Sequence, residues 1–165
     1  MTRRFPAVGP APPASGQRLA RYPLVSQLTP LGALLTAPGC ARAHVRETLG
    51  HWGRSGCVEV AELLISELVT NAVEASTDDH GQPSYLNGQL PVIILRLVAT
   101  EDSVVLEVWD SVPTPPAIRS PDALEEHGRG LLLVDKLAFR WGWRAVPDWP
   151  GKCVWVQLRA SSRSE

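Results

Sequence analysis

Cysteine is scarce and scattered: Cys40, Cys57 and Cys153 are odd in number and form no Cys-x-x-Cys pair. That pattern argues against a disulfide framework or a zinc knuckle, and a reducing cytoplasm is the expected compartment. Lysine is scarcer still, with Lys136 and Lys152 its only positions. The formal net charge is −1, so no excess of one sign draws the chain to nucleic acid or to an anionic membrane. No apolar run approaches the roughly 20 residues that a membrane-spanning helix requires. Met1-Thr2-Arg3-Arg4 leads into proline-rich sequence instead of an apolar segment, so no signal peptide is expected. Neither nucleic acid nor a membrane is therefore expected as a partner.

What is present is an ordinary globular composition. Of 165 residues, 44% are hydrophobic and 20% charged, a balance and length suited to one domain with a real core. Residues 1–24 are rich in Pro, Ala, Gly and Arg without helical or alternating period, and read as a disordered or loosely docked arm. Residues 25–160 are expected to form the folded domain and 161–165 a short tail.

Within the domain, residues 31–36 read as a short strand ahead of a Pro38-Gly39 break. Ala41, Val45, Leu49 and Trp52 fall on one face of a helix over 40–52. Ala61, Leu64, Ile65, Leu68, Val69 and Ala72 repeat at i, i+3, i+4 and i+7, predicting an amphipathic helix over 58–75. A polar loop over 76–91 follows. Then come two β-rich runs, 92–99 and 103–110, whose three-residue link predicts an antiparallel hairpin. After a proline-bearing loop, 130–139 reads as a short helix, and 140–146 and 152–158 as two more strands. This order lacks strict βαβ alternation. It predicts an α+β two-layer sandwich, with a mixed, mostly antiparallel sheet covered by helices on one face.

Three local patterns carry chemistry. In the second helix Glu67 and Asn71 lie four apart, so a carboxylate and an amide project from one side, a turn from each other. Magnesium takes hard oxygen ligands and keeps several waters, so one protein oxygen beside phosphates can hold it. Alone, this stripe reads as the solvated face of a helix. Asp110 ends the strand over 103–110, where a carboxylate can accept a hydrogen bond from an exocyclic amine; alone, it reads as a turn-initiating Asp. Gly128-Arg129-Gly130-Leu131 opens a short helix, whose free N–H groups and positive dipole end suit phosphate, with Arg129 adding a forked cation. Alone, that pattern reads as a flexible loop.

In this order and spacing, the three resemble the N, G1 and G2 boxes of the GHKL (histidine-kinase-like) ATPase superfamily. The Glu67-Leu68-Val69-Thr70-Asn71-Ala72 helix, the strand ending in Asp110, the Gly128-Arg129-Gly130-Leu131 turn and the terminal Gly151-Lys152-Cys153-Val154-Trp155 strand look most like its anti-sigma-factor serine/threonine kinase branch of actinobacterial type. The resemblance spans residues 31–158. It implies the Bergerat-type ATPase fold, with ATP and Mg²⁺ as cofactors. It further implies Asn71 as the Mg²⁺ ligand and Glu67 as the general base. Asp110 would read adenine, Ala75 would wall the adenine pocket, and Gly128, Arg129, Gly130 and Leu131 would hold phosphate. The loop over 111–127 would be a lid.

Two departures stand out. The wider superfamily has Asp-x-Gly-x-Gly where this chain has Asp110-Ser111-Val112-Pro113-Thr114, and Pro113, Pro115 and Pro116 should stiffen the lid. Cys153 stands where the family commonly has a Thr that helps hold adenine, and a thiol is the poorer hydrogen-bond partner. Trp141, Trp143 and Trp155 read as core or sheet-face packing. His44, His51 and His80 form no ligand spacing, and His127 reads as a lid residue. With no phospho-acceptor helix ahead of the domain, a complete sensor histidine kinase is not expected.

The resemblance implies a kinase that transfers the ATP γ-phosphate to a Ser or Thr of an antagonist protein and sequesters a sigma factor. The alternative is a nucleotide-gated protein-binding module without kinase activity. A homodimer through the first strand and helix is compatible with either.

Overall fold

Two long strands joined by a tight link form the centre of the molecule, because their β-branched and leucine-rich runs can bury both faces. They are β3 (Val92–Ala99) and β4 (Ser103–Asp110), paired antiparallel from Ile94 opposite Trp109 to Ala99 opposite Val104. The computed structural model describes residues 23–26, 28–116, 130–147 and 150–160. The expected arm over 1–24 lies almost wholly outside the described residues, as do the tail over 161–165, Gly128, Arg129, His127 and most of the expected lid.

The remaining strands extend the hairpin on both sides. β1 (Leu24–Val25) and β2 (Thr29–Gly32) both pair with β3, while β6 (Lys152–Arg159) pairs with β4 and β5 (Arg140–Ala145) with β6. The sheet order is β1-β3-β4-β6-β5, with β2 beside β1 on β3. Every pairing among the described residues is antiparallel, so the expected mixed sheet is corrected to an antiparallel one. Each strand neighbour is reached by a turn or a return across the sheet, so no parallel crossover arises.

Helices α1 (Ala37–His51), α2 (Val58–Ala75) and α3 (Gly130–Leu137) complete the α+β fold. The 58–75 and 103–110 boundaries agree with the sequence reading. The start of α1 does not. Pro38 sits in its first turn, where its missing N–H is an orphan in any case, so the expected break is a helix start. The strand expected over 31–36 lies instead at 29–32, where its partner runs from Leu95 to Val92.

One core fills the space between helices and sheet. Ala61, Leu64, Ile65, Leu68, Val69 and Ala72 of α2 pack on Leu95, Leu97, Leu106 and Val156, all buried. Each of the larger side chains stabilises the fold by about 1.5–3 kcal/mol. The opposite sheet face is also covered along β4, whose eight residues are all buried. There Glu107 is ion-paired to both Arg96 and Arg144, and both guanidinium groups lie over the Trp109 ring, 5.4 and 5.9 Å from its centroid. Trp141 packs on the main core and donates its indole N–H to Asp135 at 2.9 Å, whereas Trp143 is exposed. Among the described residues, no helix is long and apolar enough to cross a membrane.

Candidate nucleotide site

The C-terminal half of α2 faces the ends of β4 and β6, and a cavity of about 300 Å³ opens between them. Its floor is apolar, formed by Leu68, Ala72, Val108, Leu131 and Val154. Asn71, Glu74 and Ala75 line it from α2, Asp110 and Lys152 from the sheet, and Thr114, Pro115 and Pro116 from the segment after β4. The structure thus brings Asn71, Ala75, Asp110 and Leu131 of the expected residues to one cavity.

Asn71 occupies a polar position on an otherwise packed helix. Its Nδ2 is buried and has no hydrogen-bond partner among the described residues. Such an orphan costs about 1–3 kcal/mol, so the amide is oriented at the expense of stability. The residue itself lines the cavity.

Asp110 ends β4 directly opposite Lys152, the first residue of β6. Side-chain exposures are 2% and 6%. The Lys152 ammonium donates to Asp110 Oδ1 at 3.0 Å, lies 2.9 Å from Oδ2 and donates to the Val112 carbonyl at 3.0 Å. The Val112 N–H also donates to Oδ1, at 2.9 Å. Burial pushes the Asp110 carboxyl above its ordinary range, and the Lys152 contact and Val112 N–H pull it partway back. Gly151 makes this meeting possible. A Cβ there would overlap the Asp110 carbonyl oxygen, so only glycine lets β6 begin against the end of β4. Lys152 belongs to the terminal motif, yet the resemblance implies no role for it. The signal available in sequence was a rare lysine directly after glycine at the start of an apolar strand.

Cys153 is not brought to the cavity. Strand side chains alternate, so with Lys152 and Val154 facing the helices, Cys153 faces the other way. It is fully buried in a cluster with Ile94, Trp109 and Val146. The resemblance puts Cys153 at the position of an adenine-holding Thr, and one residue of alternation places its thiol on the far side of the sheet from the cavity. Burial pushes that thiol up to about 12.

Glu67 lies one turn before Asn71, outside the cavity lining, and meets the first residue of α3. A Cβ on Gly130 would overlap Glu67 Oε2. Desolvation raises the Glu67 carboxyl above its ordinary range, and the negative charge of Glu74 raises it further. Of the expected phosphate-holding turn, Gly130 and Leu131 open α3, and Gly128 and Arg129 lie outside the described residues.

Asn71 of α2, the buried Asp110 at the end of β4 and Leu131 of α3 thus line one cavity, while Glu67 meets Gly130 outside that lining. A family model described as the histidine kinase-like ATPase domain matches residues 34–158. The chain belongs to that family. Among curated proteins, none matches the chain. The match covers α1 through almost all of β6, and so contains the entire cavity. As a histidine kinase-like ATPase domain, the chain is an ATP-binding domain, of the superfamily its three motifs resemble.

Proposed function

We propose that the protein is an ATP- and Mg²⁺-dependent serine/threonine kinase of the anti-sigma-factor type. It transfers the γ-phosphate to a Ser or Thr of an antagonist protein and sequesters a sigma factor, which places it in the cytoplasm. The observation that carries this reading is the Glu67 carboxylate resting against the first residue of α3, one turn of α2 from the cavity residue Asn71. A domain that only held nucleotide has no need of a carboxylate at the junction of these two helices.

The residues fit the implied ligands. Asn71 lines the cavity and its Nδ2 has no partner among the described residues, so its amide oxygen would be available to a cation beside phosphates. Asn71 is the protein ligand of this reading, one amide oxygen beside phosphates and water. Mg²⁺ supplies neutralisation of phosphate charge when bound. Glu67 accepts the proton of the attacking hydroxyl, and its desolvated position makes it a stronger proton acceptor than a carboxylate in water. Asp110 accepts from the adenine amine, Ala75 walls the base, and Gly130 with the turn before it admits the phosphates.

Calorimetric titration with ATP, with and without Mg²⁺, tests the site. Saturable Mg²⁺-dependent binding that Asn71→Ala removes is expected. No binding at millimolar ATP would end the kinase reading. A second reading, the nucleotide-gated module, is favoured by Thr114, Pro115 and Pro116 standing in the cavity wall, where a nucleotide would touch the start of the expected lid. Binding of ATP without transfer to any hydroxyl, and with no effect of Glu67→Ala on turnover, would select it.

A further inference from the structure

Lys152 is one of two lysines in the chain and is 5% exposed. Removing an ammonium from water costs several kcal/mol, which a methionine or leucine at the same place would avoid. The ion pair with Asp110 offsets part of that cost. It does not explain why a charge pair stands at the edge of a cavity with an apolar floor, where two packed hydrophobic residues serve stability as well or better.

An ammonium has three N–H donors and no acceptor. The Asp110 carboxylate takes one, shared between its two oxygens, and the Val112 carbonyl takes another. The third has no acceptor among the described residues. The carboxylate also has spare capacity, since its two oxygens offer about four acceptor sites against the N–H groups of Val112 and Lys152. The pair therefore presents an acceptor and a donor side by side, on the polar rim of a cavity whose floor is Ala72, Val108 and Val154. A flat heterocycle bearing an N–H donor next to a ring acceptor is complementary to that rim. Adenine has this arrangement on both edges beside its exocyclic amine, through N1 or through N7.

We infer that Lys152 is a base-reading residue, donating its free N–H to the adenine ring nitrogen that flanks the amine accepted by Asp110. This rests on the nucleotide reading of the cavity and deepens it. Recognition becomes a two-point contact, with the sheet supplying both points from facing residues of adjacent strands. Fixing the ammonium to Asp110 and Val112 before the base arrives also spares the ordering of a long side chain on binding.

The test compares ATP with 1-deaza-ATP and 7-deaza-ATP, in which one ring nitrogen is replaced by C–H. Calorimetry on the wild-type protein is expected to show one analogue binding about 10- to 100-fold more weakly than ATP, the range of a hydrogen bond to a charged group. Lys152→Met should weaken ATP and erase that difference, so that ATP and the sensitive analogue bind within about twofold. Lys152→Arg, which keeps a donor, should retain the preference for ATP. If Lys152→Met fails to fold, the wild-type and Lys152→Arg titrations still decide the matter. Equal wild-type affinity for all three nucleotides, or discrimination that survives Lys152→Met, would overturn the role of Lys152 and leave the nucleotide site standing. Absence of ATP binding to the wild type would remove both.

Discussion

The Glu67 carboxylate fills the space in which a Cβ on Gly130 would lie. Glycine at the head of α3 thus leaves room for the proposed base as well as for phosphate. Gly130→Ala should displace the carboxylate without unfolding the protein, because the overlapping atom is the end of a flexible side chain. We expect the unfolding free energy from denaturant titration to change by less than about 1 kcal/mol, the usual Gly-to-Ala range in helices. Phosphotransfer should fall by about 10²-fold or more, the contribution of a positioned base. Wild-type transfer by Gly130→Ala would sever Glu67 from the chemistry.

The pH dependence of transfer should follow the Glu67–Glu74 interaction. Glu67 works as a base only when deprotonated, so activity rises with pH through its pKa. Glu74 holds that pKa up, adding to the larger effect of desolvation. Glu74→Gln should therefore move the acidic limb of the rate profile to lower pH, measured at saturating ATP because Glu74 also lines the cavity. A limb that stays in place would identify a different titrating group.

For Asn71, stability and binding should part company. Its Nδ2 is buried without a partner among the described residues, so Asn71→Ala removes an unsatisfied donor along with the oxygen proposed to meet the metal. Urea unfolding of the nucleotide-free variant should show a protein as stable as the wild type, or more stable by about 1 kcal/mol. Mg²⁺-dependent ATP affinity should be lost in the same sample. A large loss of stability would mean that the amide has a structural duty.

Cysteine reactivity offers an independent reading of the sheet's two faces. Cys40 is exposed, whereas Cys57 and Cys153 are buried. With its thiol pushed up to about 12, Cys153 holds almost no thiolate at pH 8, and nothing admits a reagent to it. Iodoacetamide should label Cys40 in the native protein and Cys153 only after denaturation. Native labelling of Cys153, or its protection by ATP, would return that residue to the nucleotide site.

On the far side of the sheet, Glu107 binds two arginines while fully buried. Glu107→Ala leaves Arg96 and Arg144 facing one another over Trp109. We expect a loss of about 3 kcal/mol, the low end for a broken buried pair, because Arg144 is 37% exposed and can turn to water. Thermal melting checks this. ATP affinity below the melting temperature should change little, since none of the three residues lines the cavity.

Much of this architecture was legible in the sequence, for identifiable reasons. The apolar period of α2 and the dense β-branched runs of β3 and β4 are strong local signals, and their boundaries agree with the structure. Pro38 misled because proline breaks a helix interior yet suits a first turn, and residue type alone does not separate the two. Lys152 and Cys153 show a different limit. The motif that contains them was visible, but which side chain turns to the cavity depends on strand parity. That is fixed by pairing with β4, a contact about 40 residues distant in sequence. The orphaned Asn71 nitrogen and the Glu67–Gly130 meeting likewise belong to the packing of α2 against its neighbours, and no local pattern encodes them.

The charged cluster behind β4 bears on the site through parity. Glu107 and Trp109 point away from the helices, and Val108 and Asp110 toward the cavity, so the two sets are interleaved along one strand. Sliding β4 by a single residue would carry a carboxylate clamped by two arginines into the hydrocarbon core and set an indole where Asp110 lines the cavity. A slide by two would spare the core and still pull Glu107 off Arg96 and Arg144. An all-aliphatic outer face could tolerate that second error; this one penalises both. The cluster acts as a key cut for a single alignment, so the fidelity of the nucleotide site is guarded by residues that a nucleotide never touches.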